Sequence, residues 1–122
     1  MNIDAFWKAV IQQNADELRT FFHKNAYVNW HCSNEHFTVE EYIQANCEYP
    51  GEWCGEIERI EIIEELNIFV GNIISKHRDW SLHVVSFIKT EDDKIVSMNE
   101  YYGDDGQAPQ WRLDKKLGTA IK

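Results

Sequence analysis

The stretch WSLHVVSFIKTEDDKIVSMNEYY, Trp80 to Tyr102, decides the fold. Apolar, branched and aromatic residues alternate with polar ones on both sides of the acidic triplet Glu91-Asp92-Asp93, the period of two that strands require. So short a connection joins neighbouring antiparallel strands. With a three-residue loop, Thr90 stands opposite Lys94, Ile88 opposite Val96, Ser86 opposite Met98 and Val84 opposite Glu100. One face then carries Trp80, Leu82, Val84, Ser86 and Ile88 beside Val96, Met98, Glu100 and Tyr102; as the more apolar face it is assigned to the interior. The other carries His83, Val85, Phe87, Ser97, Asn99 and Tyr101, which is greasier than a freely solvated sheet needs and points to contact with a second subunit. A four-residue loop is the competing register, and a slip of one residue would exchange the two faces.

Upstream, the residues after Gly55 are rich in Ile, Val and Phe, and alternation predicts strands over about 56–66 and 69–77 in addition to 80–89 and 94–102. Short links near Asn67 and at Arg78-Asp79 make these four an antiparallel meander. The amino-terminal part has helical spacing instead: Ile3, Phe6, Trp7, Val10 and Ile11, then Leu18, Phe21 and Phe22. A break is expected at Asn14, a good N-cap with Glu17 three positions on. Residues 26–32 (AYVNWHC) read as a short strand, bounded by the polar Ser33-Asn34-Glu35. Thr38 with Glu41 opens a third helix through about Cys47, and Pro50-Gly51 closes that region. Helices followed by a curved sheet they cover is an α+β plan. The last stretch, with Gly103, Gly106, Pro109 and Gly118, is expected to be irregular, with 113–122 as a tail to a single domain over 1–112.

At 122 residues and 43% hydrophobic content the chain has room for one core. Its 12 Lys and Arg against 21 Asp and Glu leave a formal charge of −9, which disfavours nucleic acid and anionic lipid surfaces as partners. No apolar run approaches the length of a membrane span, and the start MNIDAFWKAV has no basic segment followed by an apolar signal core. Three cysteines, Cys32, Cys47 and Cys54, are an odd set that suits a reducing compartment. A cytoplasmic protein with free thiols is the expectation.

The order helix, helix, short strand, helix, four long strands is distinctive when combined with Trp7 in the first helix. The last strand reads Asp93-Lys94-Ile95-Val96 and ends Glu100-Tyr101-Tyr102-Gly103-Asp104, followed by Pro109-Gln110-Trp111-Arg112. Over about residues 3 to 112 this resembles the nuclear-transport-factor-2-like superfamily, and within it the SnoaL-like small proteins. The resemblance implies a cone-shaped, cystatin-like α+β fold whose wide end opens between helices and sheet, commonly dimerised through the outer face of the sheet. It implies no single activity, since scytalone-dehydratase, ketosteroid-isomerase and polyketide-cyclase types of enzyme share the fold with non-catalytic modules. In SnoaL-like cyclases an acid on the last strand is the general acid/base, and Glu100 matches that place, as Glu where Asp is usual. The ketosteroid-isomerase set does not map: its first Tyr lies on the opening helix, where this chain has Phe6 and Trp7. The resemblance further implies that Tyr27, Trp30, His31 and Tyr49 line a pocket, because the short strand and third helix form its wall.

An inward Glu100 among Val84, Met98 and Tyr102 is desolvated, which raises a carboxyl pKa toward the range useful for proton transfer. The competing role is structural: Glu100 caps a buried polar network or pairs with Arg112 or a lysine at the mouth. The expected function is binding of a small organic ligand in an aromatic-lined pocket, with Glu100 as acid/base of an isomerase, cyclase or dehydratase. The alternative is a non-catalytic binding or dimerisation module. No cofactor is expected, because no Gly-rich phosphate loop follows a strand, and no metal, because His31, Cys32, His36, Cys47 and Cys54 form no C-x-x-C or H-x-x-x-H pair. The acids Glu56, Glu58, Glu61, Glu64 and Glu65 suit a solvated strand edge, Gly103-Asp104-Asp105-Gly106 suits a turn, and His83 on the outer face is placed to titrate at a subunit contact.

Overall fold

The computed structural model describes residues 1–122. Helix α1 (Ile3–Ile11) begins at Asn2, whose side chain accepts from Ala5 N–H, and α2 (Ala15–Arg19) begins at Asn14, whose side chain accepts from Glu17 N–H. The expected break is therefore a real N-cap. Strands β1 (Phe22–Trp30) and β2 (Glu35–Thr38) follow, then α3 (Val39–Cys47). Thr38 and Glu41 form the complete reciprocal capping box that opens α3. Strands β3 (Trp53–Ile63), β4 (Leu66–Ser75), β5 (Ser81–Glu91) and β6 (Lys94–Asp104) form the meander, and a short α4 (Gln110–Asp114) ends the regular structure.

The six strands make one sheet in the order β2-β1-β6-β5-β4-β3. All pairs are antiparallel except β1 with β6, which run parallel. The α+β plan stands, and several local expectations change. Phe22 begins β1 rather than ending a helix, β1 stops at Trp30 rather than Cys32, and residues 31–34 are the turn of a β1–β2 hairpin whose second strand starts at Glu35. Strands β3 and β4 start earlier than alternation alone placed them. Their turn is Glu64-Glu65, with Glu64 at positive φ, and Asn67 is buried inside β4. Strand β6 runs through Asp104, so Gly103 and Asp104 belong to the sheet, and α4, exposed throughout, spans the boundary expected at 112.

The decisive hairpin has a tighter turn than a three-residue loop. Glu91 pairs with Lys94 across Asp92-Asp93, both at positive φ, the pattern of a two-residue type I′ turn. A bulge between Lys89 and Thr90 then restores the parity that the shorter turn removed. Ile88 lies opposite Met98, Ser86 opposite Glu100 and Val84 opposite Tyr102. This is two residues from the expected pairing, so each side chain keeps its expected face except near the bulge, where Ile95 is buried and Val96 half-exposed.

The inner face packs under α1 and α3. Phe6 meets Phe21 and Phe22 edge-on, at centroid distances of 5.4 and 6.1 Å, and Trp7 meets Phe69 at 5.4 Å. Trp7 can lie this close because strands β3 and β4 offer glycine beneath it. A Cβ on Gly71 would stand 2.4 Å from the Trp7 ring, and one on Gly55 would stand 2.5 Å from the Asn72 carbonyl oxygen. Asn46, buried in α3, donates to Val10 O at 3.2 Å. Gln13, at positive φ between α1 and α2, donates to Asn46 O at 3.0 Å and Tyr49 O at 2.8 Å. These amide bonds fasten the end of α3 to the amino-terminal helices.

Candidate functional site

Three strands converge on one carboxylate. The parallel register sets Trp30 of β1 beside Glu100 of β6, and the antiparallel register sets Ser86 of β5 on its other side. Trp30 Nε1–H donates to Glu100 Oε1 at 3.0 Å, Tyr102 O–H donates to the same oxygen at 3.3 Å, and Ser86 O–H donates to Oε2. Glu100 is 4% exposed and has no cationic partner. Burial raises its carboxyl pKa above the ordinary glutamate range, and the bonds from Ser86, Trp30 and Tyr102 oppose that rise. Burial, reinforced by the Glu100 charge, pushes the phenols of Tyr102 and Tyr42 well above their ordinary value. Both therefore stay protonated.

Beside this group, between the end of α3 and the sheet, is a cavity of about 370 Å³. Five aromatic residues line it: Trp30, Tyr49, Trp53, Trp80 and Tyr102. Asn46, Ile73 and Leu82 complete its body, and Cys32, Ser33, Glu35 and Asp104 supply further polar wall. Trp30 and Tyr102 thus belong both to the wall and to the hydrogen bonds of Glu100, whereas Glu100 itself lies behind them. The opening has apolar and polar surface in the mixture that small-molecule sites show.

Trp30, Tyr49 and Tyr102 are brought together on the cavity. Tyr27 and His31 are not. Strand parity turns Ala26, Val28 and Trp30 inward and Tyr27 outward, and His31, in the hairpin turn just beyond the end of β1, also lies on the outer face. There Tyr27 lies against His36 at 5.4 Å, and His31 stacks on Tyr101 at 4.5 Å while bonding Asn99 Oδ1 at 2.8 Å. Val84 and Met98, 1% and 0% exposed, are core beneath the site and do not form its wall. Arg112 lies over the Trp111 ring, 5.4 Å from its centroid, and does not pair with Glu100. Sequence reasoning missed Trp53 as a wall residue. Extending the alternation of Ile57 and Gly55 back two positions reaches it. Cys32 and Cys54 are exposed and Cys47 half-buried, and no three His, Cys, Asp or Glu side chains gather as a metal centre. On the outer face His83 bridges two acids, Asp105 at 2.5 Å and Glu58 at 2.9 Å.

The fold and this hollow define a class: a curved sheet roofed by helices with an aromatic cavity at its open end. It is the nuclear-transport-factor-2-like fold. A candidate ketosteroid isomerase from Kribbella flavida superposes with a TM-score of 0.81 at 16% identity, over 98% of this chain and 87% of that one. An NTF-2-like protein of unknown function from Burkholderia xenovorans gives 0.79 at 21% identity, over 98% and 92%. A protein of ketosteroid isomerase-like fold from Catenulispora acidiphila, in complex with trimethylamine, gives 0.71 at 15% identity, over 83% and 84%. A candidate polyketide cyclase, a candidate SnoaL-like polyketide cyclase and an LEH-like epoxide hydrolase share the fold as well. At these identities the likeness establishes the fold. No family model and no curated protein matches the sequence. No helix is long and apolar enough to cross a membrane.

Proposed function

We propose that the protein binds a small, mostly apolar organic molecule in the aromatic cavity, and that Glu100 holds and releases a proton there through Tyr102. The observation that carries this reading is that Trp30 and Tyr102 serve two purposes. They are cavity wall, and they are also donors to a buried carboxylate that no cation neutralises. In the acid direction, the Glu100 carboxyl passes its proton to the Tyr102 oxygen as Tyr102 passes its own to an oxygen of the ligand. The reverse withdraws a proton and leaves Glu100 protonated. Such a relay suits an isomerase, cyclase or dehydratase step, in which a carbonyl or hydroxyl oxygen changes protonation. The fold is shared with proteins named for such chemistry, and one protein of this fold holds a molecule as small as trimethylamine. A structure determined in the presence of bound fragments, with turnover of each binder compared for the parent and Glu100→Gln, tests the reading. Unchanged turnover would remove the acid/base role.

A second reading, a non-catalytic binding module, is favoured by the position of Glu100 behind the wall rather than on it. Binding without turnover of any cavity ligand would select it. The unfilled cavity argues against a purely structural role, for which the chain's own side chains would close the space. We also propose a homodimer through the outer sheet face, supported by Phe87 and Tyr101, 37% and 43% exposed with their rings 6.0 Å apart. Light scattering of the parent and Phe87→Glu tests it: a dimeric parent and a monomeric variant are expected, and a monomeric parent would end the idea.

A further inference from the structure

We propose that the cavity selects a small organic cation, a methylated or otherwise substituted ammonium. This deepens the reading of the cavity as a ligand site and rests on it. Tyr49, Trp53 and Trp80 form a closed triangle, with ring centroids 5.1, 6.1 and 6.4 Å apart and planes inclined by 73°, 61° and 77°. The three rings brace one another edge to face and belong to a wall with five aromatic members, and the negative face of an aromatic quadrupole attracts a cation. Trp30 and Tyr102, inclined by 77° at 5.6 Å, continue the same arrangement along the wall.

The charges agree with the rings. Glu35 and Asp104 are the formally charged members of the lining, both acidic, and no Lys, Arg or His joins them. Glu35 accepts from Ser33 at 2.7 Å, and neither acid is engaged in an ion pair. Glu100 adds a third carboxyl behind Trp30 and Tyr102. An anionic ligand finds no countercharge here, and a neutral one makes no use of the unpaired acids. A substituted ammonium satisfies both, placing its methyl groups against the rings and its charge near the carboxylates. The low hydration of such a cation, compared with a primary ammonium, suits a wall that is largely apolar.

The test is a matched pair of probes, choline and its neutral carbon isostere 3,3-dimethylbutan-1-ol. Both are titrated at pH 7 and low salt, with the indole N–H signals of Trp53 and Trp80 followed by NMR. Choline is expected to bind at least tenfold more tightly than the alcohol. Trp80→Leu should remove at least tenfold of the choline affinity while Trp80→Phe, which keeps a ring, restores most of it. Asp104→Asn should weaken choline and leave the alcohol unchanged. Equal affinity for the two probes overturns the cation preference and leaves the ligand site standing. No shift of either indole signal with choline, the alcohol or a neutral fragment set overturns both.

Discussion

Trp30 and Glu100 are register partners across the one parallel strand pair in the sheet, and the indole N–H of Trp30 donates to the Glu100 carboxylate at 3.0 Å. A buried carboxylate without a cation depends on such donors, because each unmade bond leaves charge in an apolar interior. Trp30→Phe keeps the ring and deletes the donor. It is expected to destabilise the fold by about 1–3 kcal/mol and to raise the Glu100 pKa further. Urea unfolding of the variant at pH 7 checks this, and a loss indistinguishable from zero would show that the bond contributes nothing.

Burial raises the Glu100 carboxyl above its ordinary value of 4.5, so the native state keeps this proton into a range where the unfolded chain has lost it. Stability from this source is full below pH 4.5 and is lost as pH rises through the native value. Glu100→Gln cannot ionise, and its amide can still accept from Trp30 and Tyr102 and donate to Ser86. The difference in unfolding midpoint between variant and parent is therefore expected to grow in the variant's favour from pH 5 toward neutrality. A constant difference across that range would contradict the burial argument.

Gly71 leaves the space that Trp7 occupies, since a Cβ there would meet the indole at 2.4 Å. Gly71→Ala is expected to cost about 1–3 kcal/mol, the range for overpacking a close-packed interior. Most of that loss should disappear when Trp7→Leu supplies the alternative background. A double-mutant cycle by thermal or urea unfolding measures the coupling, and additive losses would show that the two residues do not compete for one space.

Outside the core, Asp105 foremost and Glu58 after it hold the His83 pKa above its ordinary 6.5. A histidine raised in the native state contributes stability that is present below pH 6.5 and lost as pH rises through the native value. NMR titration of the ring should give a midpoint above 6.5, and Asp105→Asn should bring it down. A parent midpoint at or below 6.5 would refute the assignment of Asp105 as its dominant partner.

Much of the fold was legible because local signals were strong. Asn14 and Thr38 announced helix starts through capping chemistry, and the register expected from a three-residue loop placed Glu100 on the inner face, where the structure has it. The turn itself was misjudged by a residue. Asp92 and Asp93 both adopt positive φ, a conformation glycine or asparagine would have advertised, and the compensating bulge has no sequence mark. The parallel β1–β6 pairing was hidden for a different reason: partners 70 residues apart leave no trace in local pattern. This pairing brings Trp30 to Glu100, while strand parity sends Tyr27 to the opposite face, where His31 joins it from the hairpin turn.

The Gln13 amide grips the carbonyls of Asn46 and Tyr49, and Asn46 grips Val10 in return. The rim residue Tyr49 is thereby leashed to the first two helices. Displacing the Tyr49 backbone at the cavity wall therefore requires breaking its bond to Gln13, which ties the shape of that wall to the turn between the first two helices.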